Sequence, residues 1–181
     1  MATNEKKAAK VTTNEVRFSY VHVFEPTAMD DNQQKKFSVS LLIPKKDKKG
    51  IAKLEAAIDA ALQEGIDKLW KGKRPAKLMM PMNDGDDEKG DSNPEYRGMF
   101  YINAKCIRKP SIFDENLEEI IDPDELYSGC YGKASVTFYA YDKNGNKGVA
   151  CGLNGVQKLR DGENLGGGAA TADDFADDDL M

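Results

Sequence analysis

Lysines and tyrosines recur at every second position in several segments of the chain. Tyr131, Lys133, Tyr139 and Tyr141 alternate with Ala134, Val136, Phe138 and Ala140; Tyr101 and Lys105 flank Ile102 and Ala104; Lys36 precedes Phe37, and Arg17 precedes Phe18. In an extended chain such alternation puts the apolar set on one face and the cationic and aromatic set on the other. Cations that track phosphates, together with rings that stack on bases at about 1–3 kcal/mol each, are what a single-stranded nucleic acid requires of a surface. Arg17, Lys36, Tyr101, Lys105, Lys133, Tyr139 and Tyr141 are therefore the candidate residues for binding a single-stranded nucleic acid. Taken singly, each tyrosine is an ordinary strand former and each lysine an ordinary solubiliser. Their joint occurrence on the solvent side of successive strands carries the reading.

A second kind of chemistry lies at the end of the chain. Asp173, Asp174, Asp177, Asp178 and Asp179 surround Phe175 and are followed by Leu180, and residues 164–181 contain no lysine or arginine. Taking these five from the 31 acidic residues leaves 26, equal to the 26 basic ones, so the formal charge of −5 sits on the tail. An acidic block at 83–95 holds six carboxylates and one lysine, and what remains outside both blocks is net cationic. Solubility does not call for Phe175 or Leu180, so the tip reads as a recognition peptide for a partner protein. Tethered through Gly166, Gly167 and Gly168, it also competes for a cationic face of its own chain as a DNA mimic, at an effective concentration of roughly millimolar.

Other constellations are weaker. His22 with Cys106, Cys130 and Cys151 formally makes four zinc ligands, but no CxxC pair exists and Cys106 falls on an apolar strand face. Asp84, Asp86, Glu88 and Glu95 imitate the oxygen spacing of a calcium loop, yet the glycine comes one position late and Pro94 blocks a following helix. No metal and no cofactor is expected. One histidine, no GxSxG motif and no phosphate-binding glycine loop leave no catalytic centre, so the chain does not read as an enzyme. No apolar run approaches the ~20 residues of a membrane span, and the polar start MATNEKKAAK is no secretory signal. The odd count of three cysteines suggests free thiols and a cytoplasmic location.

The elements that must position these residues follow from periodicity. Residues 11–23 read as one strand or two joined at a bend, 36–43 and 99–106 as half-buried strands, and 131–141 as a strand turning through Lys143-Asn144-Gly145-Asn146 into a last strand near 147–157. Ile51, Leu54, Ile58, Leu62, Ile66 and Leu69 recur at steps of three and four, predicting one amphipathic helix over about 48–71 with Asp47 near its start. Residues 73–97 have no periodicity and read as a long acidic loop. Phe18 and Trp70 are assigned to the core. The organisation is then a disordered arm at 1–10, a domain at 11–160, a Gly-rich linker at 161–172 and the acidic tip at 173–181. The fold class is mainly β: a five-stranded antiparallel OB-fold-like barrel with one helix, a class of barrel that binds oligonucleotides. In the standard order the helix follows the third strand, which holds here only if the first region counts as two.

The segments VRFSYVHVFEP (16–26), KFSVSLLIPK (36–45), YSGCYGKASVTFYAY (127–141) and above all GVACGLNGVQKLRDGENLGGG (148–168) resemble the bacteriophage single-stranded DNA-binding proteins of the OB-fold type. The terminal DDFADDDLM is similar to the acidic tips of bacterial and phage single-strand binding proteins, although bacterial tips commonly end in proline-phenylalanine and this one ends Leu180-Met181. The resemblance implies a protein that coats single-stranded DNA without sequence preference in phage replication or recombination and recruits replication or recombination proteins through its tail. It admits self-association and involves no membrane. The alternative is an acidic interaction protein or DNA mimic that acts through the tail and acidic loop without binding DNA.

Overall fold

Apolar alternation over 36–43 and 131–141 folds into two of five long strands that close on themselves. A computed structural model describes residues 9–28, 32–88 and 93–165; the acidic tip, residues 166–172 of the linker and residues 1–8 of the arm lie outside them. The ring strands are β2 (Val16–Thr27), β3 (Lys36–Pro44), β5 (Met99–Cys106), β7 (Tyr131–Lys143) and β8 (Asn146–Arg160), and the short strands β1 (Lys10–Thr12), β4 (Met82–Asp84) and β6 (Ser111–Phe113) add to β7, β5 and β8. The pairing runs β7–β2–β3–β5–β8, and β8 pairs back with β7, which is the closed order of an OB barrel.

Three sequence expectations are corrected. First, the ring is not wholly antiparallel. β5 and β8 are parallel, in register Ala104↔Cys151, because the chain reaches β8 from β5 by crossing over through β7. Second, the helix α1 covers Lys48–Lys68 and stops short of residue 71. The left-handed φ values of Lys71 (56°) and Gly72 (77°) turn the chain away, with Gly72 donating to the Ile66 carbonyl at 2.7 Å. Its other end is fixed as expected, the Asp47 side chain accepting from the Gly50 amide. The first region does form two strands, β1 and β2, parted by a bend at Asn14-Glu15, so α1 follows the third strand in chain order; β1 only flanks β7, and within the closed ring α1 lies between the second and third strands.

α1 buries Ile51, Leu54, Ile58 and Leu62 in the same core as Phe18, Leu41, Ile102, Val136, Phe138 and Trp70. It can lie close to β7 because Gly65 faces Ala140: a Cβ at Gly65 would come within 2.5 Å of that of Ala140. The β7–β8 hairpin turns on Asn144 (φ 53°) and Gly145 (φ 82°), the two positive angles a two-residue hairpin loop of this hand needs.

The third correction concerns 73–97, which is partly structured. It contains β4, a helical turn Gly85–Glu88 and a 3-10 turn Pro94–Tyr96 that buries Tyr96 to 1% exposure. Two carboxylates of the acidic block are engaged: Asp84 and Asp86 each accept from Lys45 Nζ at 2.7 Å, and Asp86 also accepts from the Gly98 amide. These bonds hold both carboxyls below the ordinary carboxylate range and raise Lys45. Groups with lowered folded pKa stabilise the fold above their unfolded value and lose that contribution as pH falls through the folded one. Protection of the Gly98 amide relative to its intrinsic exchange rate is accordingly expected to fall below about pH 4, ahead of that of the barrel strands. Protection there that holds unchanged to about pH 2 would contradict the pairing. Among the described residues, no helix is long and apolar enough to cross a membrane.

Candidate functional site

The outer faces of β7, β8, β5 and β3 lie side by side, and register decides what meets there. Thr137 is opposite Gly152, Gly152 is beside Lys105, and Lys105 is opposite Ser38. Along this surface three recesses of about 500, 640 and 230 Å3 run into one another; Lys36 and Lys105 wall the first two, and Ser38 and Lys105 the second and third. The groove is flanked by Thr27 at the end of β2, by Asn32 and Gln34 of the β2–β3 connection, and by Lys143 at the tip of the β7–β8 hairpin. These are the two hairpins with which OB barrels grip oligonucleotides.

Its electrostatics are one-sided. Lys36, Lys105, Arg108, Lys109 and Lys143 line it, and none of the described lining residues is acidic. Two rings stand at its ends. Tyr139 (51% exposed) walls the first recess, and Tyr20 (50% exposed) walls the third. Packing around Tyr139 pushes its phenol above the ordinary value, with smaller contributions from Cys151 and Tyr141. Burial likewise raises the Cys106 thiol on the groove wall. Cys130 and Cys151 are buried free thiols.

Of the residues expected from sequence, Lys36, Lys105 and Tyr139 meet in the first recess of this groove, and Tyr101 lines the third. Lys133 lies on the same face but lines a neighbouring recess of about 320 Å3 with Phe113 and Leu117, which shares only Asn154 with the groove. Tyr141 is half-buried and lines none of these recesses. Two assignments are corrected. Arg17 serves as a latch: its Nε and Nη2 donate to the carbonyls of Gly129 (3.0 Å) and Glu163 (2.9 Å) while its guanidinium lies over the Tyr131 ring. Arg160 covers the same ring at 3.9 Å. With Tyr127 holding Gly162 and Leu165 donating to Ser128, residues 161–165 are tied to the barrel.

Tyr101 is the second correction. It does face away from the main core, as alternation predicts, but it is 4% exposed because Tyr96 packs edge-on against it, rings 5.2 Å apart, over Leu42. A ring covered in this way is mainly a structural one, exposing only its rim to the third recess. Tyr101→Ala is expected to lower folding stability by at least about 2 kcal/mol, a core truncation, readable as a fall in thermal midpoint; an unchanged midpoint would place the ring back in solvent.

Arg108, Lys109, Lys143 and Tyr20 were missed. The basic run KCIRK at 105–109 was a signal that could have found the first two. Tyr20 had none: it is turned outward by a bulge between Ser19 and His22 and held at φ 47°.

Comparison with known proteins gives the same surface a context. The model of a family described as Enterobacter phage Enc34, ssDNA-binding protein, matches residues 9–181. Putative protein p50 of Acyrthosiphon pisum secondary endosymbiont phage 1 is 34% identical over 175 residues, covering 93% of both chains. Among solved structures, the single-stranded DNA-binding protein from bacteriophage Enc34 in complex with ssDNA superposes with a TM-score of 0.77 at 27% identity, over 88% of this chain and 91% of that one. The single-stranded DNA-binding protein gp2.5 of bacteriophage T7 superposes with a TM-score of 0.62 at 19% identity over 93% of each chain, a likeness of fold.

Proposed function

Since the chain belongs to the family of the Enterobacter phage Enc34 single-stranded DNA-binding protein, a family of binding proteins and not of enzymes, we propose that it binds single-stranded DNA along the groove between its two hairpins. It does so with little sequence preference, coating and protecting the strand during phage replication or recombination in the infected cell. The observation that carries this is the groove itself: five cations, no described acidic residue, and an exposed tyrosine at each end. Phosphates follow Lys36, Lys105, Arg108, Lys109 and Lys143, and bases stack on Tyr139 and Tyr20. A duplex keeps its base faces stacked inside and offers the tyrosines nothing.

Binding of labelled oligo-dT against a duplex of equal length, across a salt series, tests this. Tight single-strand binding that weakens by about 0.7 log units per phosphate contact for each log unit of salt is expected, with much weaker duplex binding. No binding of oligo-dT at low salt would leave the acidic interaction protein as the reading to pursue.

The tail, which lies outside the described residues, is proposed to have two roles. Its five aspartates compete with phosphate for the groove, and Phe175 and Leu180 engage a replication or recombination protein once DNA displaces them. Deleting 169–181 is expected to raise DNA affinity at low salt, with the gain vanishing near 1 M, where the Debye length is about 3 Å. The same deletion should abolish co-purification of partners. Replacing only Phe175 and Leu180 by Ser should lose the partners and keep the competition. Equal DNA affinity of full-length and truncated chains at low salt would remove the competition.

A further inference from the structure

The third recess differs in kind from the rest of the groove. The other two are larger and lined by several cations; this one, at 230 Å3, is smaller than the roughly 300–1,000 Å3 of sites for drug-sized ligands, and hydroxyl and amide groups join Lys105 in its wall. Tyr20 stands on one side, and Ser38, Ser40, Asn103 and Lys105 lie on the other. Tyr96 and Tyr101, packed on each other, fix its floor. Tyr20 is held at a left-handed φ of 47° in a bulge, an angle disfavoured for tyrosine. That conformation is what puts a half-exposed ring beside the recess.

The polar wall has a polarity of its own. Ser40 Oγ donates to Asn103 Oδ1 at 2.5 Å, which takes up one of the two acceptor positions of the Asn103 amide, whose Nδ2 carries two donor hydrogens. Lys105 has donors only, and Ser38 adds a hydroxyl that serves either way. Whatever enters therefore meets a flat ring on one side and a surplus of donors on the other. On the edge that faces the major groove in a duplex, thymine presents O4 and guanine N7 and O6, acceptors only, whereas adenine sets an N6 amine donor beside its N7 acceptor and cytosine an N4 amine donor.

We propose that the recess between Tyr20 and Asn103 is a nucleobase pocket that takes one base of the bound strand, stacked on Tyr20, and favours a base with an acceptor-only edge, thymine or guanine, over adenine. It deepens the reading of the groove as a path for single-stranded DNA, on which it rests. It adds a few-fold selectivity at one nucleotide to binding that is otherwise governed by phosphates.

The test measures affinities of equal-length dT and dA oligomers at one fixed salt concentration, for the full chain and three variants. Adenine strands self-stack whatever protein they meet, so the quantity read is the change in the dT:dA ratio between proteins. Asn103→Ala should lower that ratio about fivefold, the worth of one hydrogen bond, mostly through weaker dT binding. Tyr20→Gly, which suits the left-handed bulge and so keeps the fold, should weaken both oligomers about tenfold with the thermal midpoint maintained. Tyr139→Ala, at the other end of the groove, should weaken both and leave the ratio alone. A ratio unchanged by Asn103→Ala, or Tyr20→Gly binding as the parent does, overturns the pocket while leaving the groove intact. Failure of the unsubstituted chain to bind either oligomer overturns the groove, and the pocket with it.

Discussion

Phe138→Ala is expected to cost about 3–5 kcal/mol of folding stability, whereas Tyr139→Ala, one residue further along β7, costs almost none and instead weakens single-strand binding by about 1–3 kcal/mol. Phe138 is 2% exposed inside the barrel and Tyr139 is 51% exposed on the groove wall. In a strand, successive side chains point to opposite faces, so the two substitutions remove rings of similar size from environments that share nothing. The first leaves a cavity among residues such as Val136 and Ile102, which cannot collapse into it without disturbing the ring of strands. The second removes a platform that the fold does not use. Denaturant melts and oligo-dT titrations on both variants check this. If Tyr139→Ala melts early and Phe138→Ala does not, β7 is displaced by one residue and every facing assignment along it inverts.

Neutralising Lys36, Lys105 and Lys143 together should lower affinity for oligo-dT by about 100-fold at 0.1 M salt and flatten the salt dependence by about two log units per log unit of salt, because each lost phosphate contact removes about 0.7 from the slope. These three surround the middle recess, approaching it from β3, β5 and the tip of the β7–β8 hairpin. No ion pair among the described residues holds any of them. Lys48, Lys49 and Lys53 on α1 line none of the recesses, and the same triple neutralisation there should leave the slope unchanged. Equal slopes for the groove variant and the parent chain would mean that phosphates travel elsewhere on the molecule.

Much of this protein was legible in its sequence because its strands obey a period of two and its helix a period of 3.6. Phe37, Val39, Leu41 and Ile43 alternate cleanly and are buried, the heptad-like run from Ile51 to Leu62 marks α1, and Asn144-Gly145 marks the hairpin turn. Binary pattern is a local property, written in neighbouring residues, so it locates elements and tells core face from outer face. That was enough to place Lys36, Lys105 and Tyr139 on an outer surface and to pick out the strings by which the family is recognised.

What a local pattern leaves out is the cover that another segment brings to an outer face. Tyr101 sits on the side alternation assigns it, yet a 3-10 turn from the segment read as loop folds Tyr96 over it. Arg17 also points outward, but residues 161–165 return from the far end of the chain to occupy its guanidinium. Tyr20 is the converse case: one extra residue in β2 turns its ring out of the barrel, and a bulge breaks the very periodicity from which facing is inferred. The parallel pairing of β5 with β8, and the meeting of Lys36, Lys105 and Lys143 from three strands far apart in sequence, depend on how the ring closes. The sequence by itself determined the elements, the charge segregation and the family; the tertiary structure alone decided which outward residues share one groove, because exposure is set by long-range contacts that no window of neighbouring residues contains.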